Sequence, residues 1–341
     1  MSQLVYFYPH GHQAHYEQGH PERPERIETI RQALIDLSWW EEFPHLSPIE
    51  IPVSILQAVH SPHYLSTLQS ASQRGMYLDM DTYTTPASWE LAQAAAGGGT
   101  AVASQVWKGE ARRGFALTRP PGHHATRNQG MGFCLLNNIA LAAEYLLQLG
   151  GAEKLAIVDL DLHHGNGTQD IFYERQDVFY LSTHQSPLYP GSGRLDEIGS
   201  GPGKGANANF PLPPYSGDMA FENVMDELIL PMLNRYKPQM VLVSVGFDTH
   251  WRDPLGQLQL SAAVYSGLIR RLTLWTDENC SGRIVLFLEG GYDLDAGAAC
   301  GQASVAGLLD RAWIDPLGPA PRDESNAWET MVQHARQIWG L

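Results

Sequence analysis

Residues 155–167 read LAIVDLDLHHGNG, and the interpretation of this chain turns on them. The first five, Leu155 to Asp159, form a short apolar run of the kind found in strands buried on both faces. The nine residues 159–167 then hold two acids, two histidines and two glycines. Alternate residues of a strand share a face. As far as the strand persists, Asp159, Asp161 and His163 therefore project together, and Asp161 and His163 offer an oxygen and a nitrogen to one cation. A polar strand end, or a buried histidine satisfied by a neighbouring aspartate, explains a lone Asp-x-His equally well. The density of this cluster favours chemistry.

Working outward, the same alternation recurs. Further β-rich runs lie at 4–8, 114–118, 178–182, 240–246 and 283–289, with helical patterns at 25–37, 88–108, 138–149, 218–236 and 261–278. Apolar strands alternating with helices predict an α/β fold, a mostly parallel sheet flanked by helices on both faces. In such sheets ligands bind beyond the carboxyl ends of the strands. Polar clusters follow Thr118, Val158, Val245 and Leu288, which is that location four times over. The Gly/Pro-rich stretch 189–214 reads as a long irregular loop framing a site. One domain over 1–341 is expected, with an extension from about 315 to 341 that ends in a helix at 327–339.

Composition narrows the class. Among 341 residues, 43% are hydrophobic, ample for a core, and 37 acids against 22 bases leave a formal charge of −15. No basic stripe for nucleic acid is expected from that balance. The acidity either draws cationic substrates towards the surface or serves solubility alone. Cys134, Cys280 and Cys300 form no CxxC pair, which suits a reducing compartment. The start, MSQLVYFYPHG, lacks the pattern of a signal peptide, and no apolar run reaches membrane-spanning length. A soluble, cytoplasmic protein without membrane or nucleic-acid partners is the expectation.

Three more segments carry candidate chemistry. RPPGHHA (119–125) sets His123 and His124 side by side in a loop stiffened by paired prolines; alone, it reads as a surface turn with incidental histidines. SVGFDTHWRDPLG (244–256) places Asp248 just past an apolar strand, and FLEGGYD (287–293) presents Tyr292 after a glycine pair. Together with GHPERPERI (19–27), MGFCLLNN (131–138) and STHQSPLYPGSG (182–193), these segments resemble the histone deacetylase family in order and spacing over nearly the whole chain. The likeness is to its class II members and their bacterial relatives. It implies the arginase/deacetylase fold, one catalytic zinc and a narrow tunnel for an acyl-lysine-like group.

The resemblance also assigns roles. Asp161, His163 and Asp248 are the implied zinc ligands, and a shell of three leaves the open position that catalytic zinc requires. His123 and His124 match the family's tandem histidines, with Asp159 and Asn166 as their partners. Position 166 is Asn, as in class II, where class I carries Asp. A carboxylate partner favours imidazolium and an amide does not, so His123 is expected to stay charged and His124 to act as the neutral base. Tyr292 matches the tyrosine that donates to the developing oxyanion. Gly132, Phe133, Tyr189 and Leu255 match the tunnel, the second aromatic wall being Tyr where Phe is commoner. Arg26 matches an arginine lining an internal channel, although a helix-surface charge is the plain alternative. Asp81 or Thr82 matches the rim. A potassium site is implied at Asp159, Asp161, His163, Ser182 and Thr183.

Substrate choice rests on one position. Polyamine-selective relatives carry Glu in the DPxG turn, where this chain has Leu255 in Asp253-Pro254-Leu255-Gly256. Acyl-lysine in peptides or proteins therefore comes first and small acylated amines, acetylpolyamines among them, second. A binuclear manganese ureohydrolase needs an extra acid after the His of Asp-x-His, where Gly165 stands, and a second acid after Asp248, which is missing. A non-catalytic acyl-amine binder predicts loss of a ligand, a tandem histidine or the tyrosine; all are present.

Overall fold

The computed structural model describes residues 2–341. Its strands are β1 (Ser2–Phe7), β2 (His45–Leu46), β3 (Ala111–Ala116), β4 (Leu155–Asp159), β5 (Val178–Gln185), β6 (Asn207–Leu212), β7 (Val241–Val245) and β8 (Ile284–Leu288). Every pairing between these strands is parallel, in the order β2-β1-β3-β8-β7-β4-β5-β6. The last strand in sequence, β8, thus lies between β3 and β7.

Side-chain alternation divides two apolar cores. Ala156, Val158, Val241, Val243, Ile284 and Leu286 face one cluster, while Leu155, Ile157, Leu242, Val285 and Phe287 face the other. Burial on both sides is why these strands read as unbroken apolar runs. The helices are α1 (Glu25–Asp36), α2 (Val53–Val59), α3 (Pro62–Arg74), α4 (Ser88–Trp107), α5 (Asn138–Gln148), α6 (Asn166–Phe172), α7 (Asp218–Val224), α8 (Leu230–Tyr236), α9 (Ala262–Asn279), α10 (Leu294–Leu309) and α11 (Trp328–Trp339). Gly98 of α4 lies directly against the Phe7 ring, and Gly99 against Phe287. Any larger residue there would push the helix off the sheet.

The α/β architecture is as expected, and four details differ. The stretch 189–214 is not irregular throughout, since it contains β6. The helical pattern 218–236 is α7 and α8 joined by a π-helical turn, Met225–Ile229. Strand β2 and helices α2, α3, α6 and α10 add to those expected. The strand carrying the Asp-x-His motif ends at Asp159, so strand alternation is not what aligns Asp161 with His163. Carboxylates capture the backbone instead. Asp161 N–H donates to Asp159 Oδ1 (3.2 Å), His163 N–H to Asp161 Oδ1 (2.9 Å) and Leu162 N–H to Asp248 Oδ1 (3.1 Å), curling the chain round its own acids.

Candidate active site

Strands β3, β8, β7 and β4 are consecutive in the sheet, and the segments leaving their carboxyl ends meet. From β4 and β7 come Asp161, His163 and Asp248, each offering one ligand atom within 4.8 Å of the others. His163 Nδ1 lies 3.3 Å from Asp161 Oδ1 and 3.2 Å from Asp248 Oδ2. Asp248 Oδ2 is buried and accepts no hydrogen bond among the described residues. A buried carboxylate oxygen with no donor is costly, and a divalent cation is the partner that would satisfy it. The donor set, two carboxylates and one imidazole, fits such an ion. Burial would raise the Asp161 carboxyl, yet His123 and His163 hold it far below the ordinary range; burial and then Asp161 push Asp248 upward.

The tandem histidines sit beside these three side chains, rings 4.1 Å apart. His123 Nδ1 donates to Asp159 Oδ2 at 3.1 Å, and its Nε2 lies 3.7 Å from Asp161 Oδ1. Burial opposes its charge, but Asp161 and then Asp159 overcome this and raise its pKa to about 10. His124 Nδ1 donates to Asn166 Oδ1 at 2.8 Å. Burial, the charge on His123 and that on His163 hold His124 well below its ordinary value. The two imidazoles are thus driven in opposite directions.

Tyr292 stands across the site, its backbone N–H donating to Asp253 Oδ2 at 2.6 Å. Its ring lies edge-on to Phe133, centroids 5.7 Å apart. Burial raises its phenol well above the ordinary value, so it stays protonated. The glycine pair before it serves close approach. Gly290 N–H donates to Asp161 Oδ2 at 2.9 Å, and a side chain at Gly290 would collide with the Asp248 carboxylate. Tyr189 faces the ring of His124 at 5.2 Å and that of His163 at 6.2 Å. Gly132 lies between them, where a Cβ would come within 2.5 Å of His124 Cδ2 and 3.0 Å of Tyr189 Cε1. Leu255 is half-buried against the adjoining core.

Other positions fall differently. Arg26 is no helix-surface charge: it is buried, its guanidinium carbon 4.7 Å from the Tyr292 ring centre, bonded to Glu22 and to the Gly291 and Glu289 carbonyls. Thr82 is buried and its hydroxyl accepts from Phe133 N–H (3.0 Å), so it braces a wall and offers no rim contact; Asp81 is exposed. Asp159 and Ser182 are register partners on β4 and β5. Thr183 follows Ser182 on the strand and its side chain points to the opposite face, so it can join the cation site expected there only through its carbonyl.

Two buried carboxylates that brace the site escaped the sequence reading, as did Glu22 further off. Glu289 accepts from Gly122 N–H (2.7 Å), His123 N–H (3.1 Å) and the Ser244 hydroxyl (3.1 Å), gripping the loop that carries the histidines. Asp253 accepts from Tyr292 and Asp293 N–H groups (2.6 and 3.2 Å). The signal was an acid at the end of an otherwise apolar strand for the first, and an Asp-Pro turn for the second.

Comparison with known proteins agrees with this geometry. Residues 20–308 match the family model described as histone deacetylase domain. The chain is 41% identical to a probable deacetylase of Archaeoglobus fulgidus over 81% of its length and 77% of the relative's. It is 37% identical to the histone deacetylase-like amidohydrolase of Pseudomonas aeruginosa, covering 88% of this chain and 80% of that one. Among solved structures, the crystal structure of the HDA15 HD domain superposes with a TM-score of 0.90 at 34% identity, over 99% of this chain and 94% of that one.

Proposed function

The chain belongs to the histone deacetylase family, and from that premise we propose that it is a zinc-dependent amidohydrolase removing acetyl or related acyl groups from the ε-amine of acyl-lysine in peptides or proteins. The observation that carries this is the convergence of Asp161, His163 and Asp248, with an unsatisfied Asp248 oxygen, beside two oppositely biased imidazoles and a phenol. Asp161, His163 and Asp248 would hold the zinc, which would supply Lewis acidity towards the amide carbonyl and lower the pKa of water to near neutral.

The chain's own side chains do the rest. With Nδ1–H committed to Asn166, neutral His124 presents its Nε2 lone pair, which takes the proton of the attacking water and passes it to the departing amine. His123, charged between Asp159 and Asp161, stays protonated and stabilises negative charge. Tyr292 donates its hydroxyl to the oxyanion. Phe133 and Tyr189 enclose the methylene chain, with Gly132 leaving room and Leu255 as an apolar gate. Glu289 and Asp253 position the histidine loop and the tyrosine. Potassium at Asp159, Asp161, His163 and Ser182, with the Thr183 carbonyl, would brace the β4 end.

We take 1–341 as one catalytic unit, because Trp328, Met331 and Val332 of α11 share a core cluster with the strands. Three buried unpaired cysteines support a reducing location such as the cytoplasm; no helix among the described residues is long and apolar enough to cross a membrane. The charge of −15 favours a second reading, hydrolysis of small cationic acylated amines. Measuring kcat/KM of the zinc-loaded protein on acetyl-lysine peptides and on acetylpolyamines decides between them. A large preference for the polyamines reverses the order, and no hydrolysis of either sinks both.

A further inference from the structure

At the opposite end of the sheet from the histidines, where β4 and β5 begin, lies a cavity of about 340 Å³. Its walls are largely aromatic: Phe179 of β5, Tyr236 of α8 and Trp339 of α11, with Met232 of α8 beside them. The Phe179 ring centre lies 5.0 Å from that of Tyr236 and 6.1 Å from that of Trp339, the planes tilted by 51° and 49°. The Tyr236 hydroxyl donates to the Gln176 carbonyl (2.8 Å), which fixes that ring. Two cations complete the lining. Lys154 Nζ stands 5.2 Å from the Tyr236 ring centre. Arg235 donates through Nη1 to the Trp339 carbonyl (2.7 Å) and through Nη2 to the Gly340 carbonyl (3.2 Å). Neither cation pairs with a carboxylate among the described residues, and Trp339 Nε1 is buried without an acceptor.

In a chain of formal charge −15, a cavity lined by two cations and no acid stands apart. Asp177 is close enough to act on the Tyr236 phenol, but Arg175 already holds it (2.6 Å). A buried donor with no acceptor costs free energy, and ring faces with nothing against them forgo their contacts. We propose that this cavity binds a small aromatic carboxylic acid, with its ring among Phe179, Tyr236 and Trp339 and its carboxylate between Lys154 and Arg235. Apolar walls alone would take any hydrocarbon; edge-on and offset ring contacts add a preference for an aromatic one. The volume is at the lower end for ligand sites, which suits one ring or two fused rings. The cavity shares no residue with the hydrolytic machinery and does not depend on what that machinery cleaves. A bound acid bridges β5, α8 and the last turn of α11, so its binding stabilises the helix that closes the core.

The probe is indole-3-acetate, titrated calorimetrically into zinc-loaded full-length protein while the melting temperature is followed in parallel. It should saturate one site and raise the melting temperature. Indole-3-ethanol, which lacks the charge, should bind about tenfold more weakly, and cyclohexylacetate, which lacks the aromatic face, about fivefold more weakly. Lys154→Glu should weaken indole-3-acetate about tenfold without changing the melting temperature of the free protein. Arg235→Gln, which keeps a donor for the α11 carbonyls, should weaken it to a similar degree. Asp248→Asn should leave binding intact, which separates this cavity from the zinc ligands. No binding at millimolar probe, equal affinity for the neutral or the saturated analogue, or binding lost in Asp248→Asn but kept in Lys154→Glu overturns the site. A dimer in light scattering that Lys154→Glu dissociates gives the cavity to a second copy of the chain and overturns the small ligand.

Discussion

Tyr292 and the two tandem histidines are where single atoms decide the outcome. Tyr292→Phe removes one hydroxyl while leaving the Phe133 contact in place, so kcat should fall about 10²–10³-fold with KM and melting temperature nearly constant. Retention of most of the wild-type kcat would remove the phenol from the chemistry. His124→Ala should cost more in kcat than His123→Ala, because only His124 is held neutral with a free Nε2; steady-state rates in the reverse order would overturn the assignment. Asp248→Asn should cut zinc content, measured by elemental analysis of the purified protein, since it exchanges the donor-less oxygen for a weaker or wrongly placed group. The meeting of Asp161, His163 and Asp248 beside the histidines and the tyrosine was legible in the sequence because each stands in a short polar motif after an apolar run. Glu289 and Asp253 were not, because what they do is accept backbone N–H groups from chain far away in sequence, and no local pattern records that.

Among the elements, the segment leading into α1 is tied to the end of β3 by charges inside the protein. Glu22 is buried against Arg119 (2.7 Å) and Arg26 (2.9 Å). Burial would raise its pKa, but Arg119 and then Arg26 bring it down to about 2. A carboxylate with a lowered folded pKa adds stability that is complete above its unfolded value of 4.5 and lost as pH falls towards 2. The shift corresponds to about 3 kcal/mol. Chemical denaturation from pH 5 to pH 2 should therefore show a steeper loss in the wild type than in Glu22→Gln. At pH 7 that variant should be less stable by about 3–5 kcal/mol, since a buried guanidinium loses its counter-charge. Parallel slopes for the two proteins would remove Glu22 from the acid response. Elements were read well where the period was clean: Leu155–Asp159 was read to the residue. Strand β6 was lost among glycines and prolines, with Asn207 and Asn209 on one face in place of apolar residues. Helix α10 is rich in Gly and Ala and buried almost all round, so it shows no amphipathic stripe. Helix α3 did carry a signal, Ser61 as cap with Pro62 in the first turn.

For the whole molecule, the sheet needs its last helix. Trp328, Met331, Val332 and Ala335 of α11 lie in the larger core cluster, over the side of the sheet that ends in β6. Truncation after residue 326 should destabilise the chain by about 5 kcal/mol, from the apolar surface uncovered, and promote association through the bared apolar face. Denaturant midpoints and light scattering check this; an unshifted midpoint would make the helix dispensable. Strand order has a temporal consequence as well. During synthesis, β2-β1-β3 and β7-β4-β5-β6 can each pair as they emerge, but no strand joins them until residues 284–288 leave the ribosome. Until then the nascent chain carries two half-sheets with bare inner edges, and its histidine loop lacks the Glu289 latch. Hydrolytic competence and the closing of the last vulnerable edge should then arrive in one step, late in translation, so that no shorter nascent chain is a working enzyme.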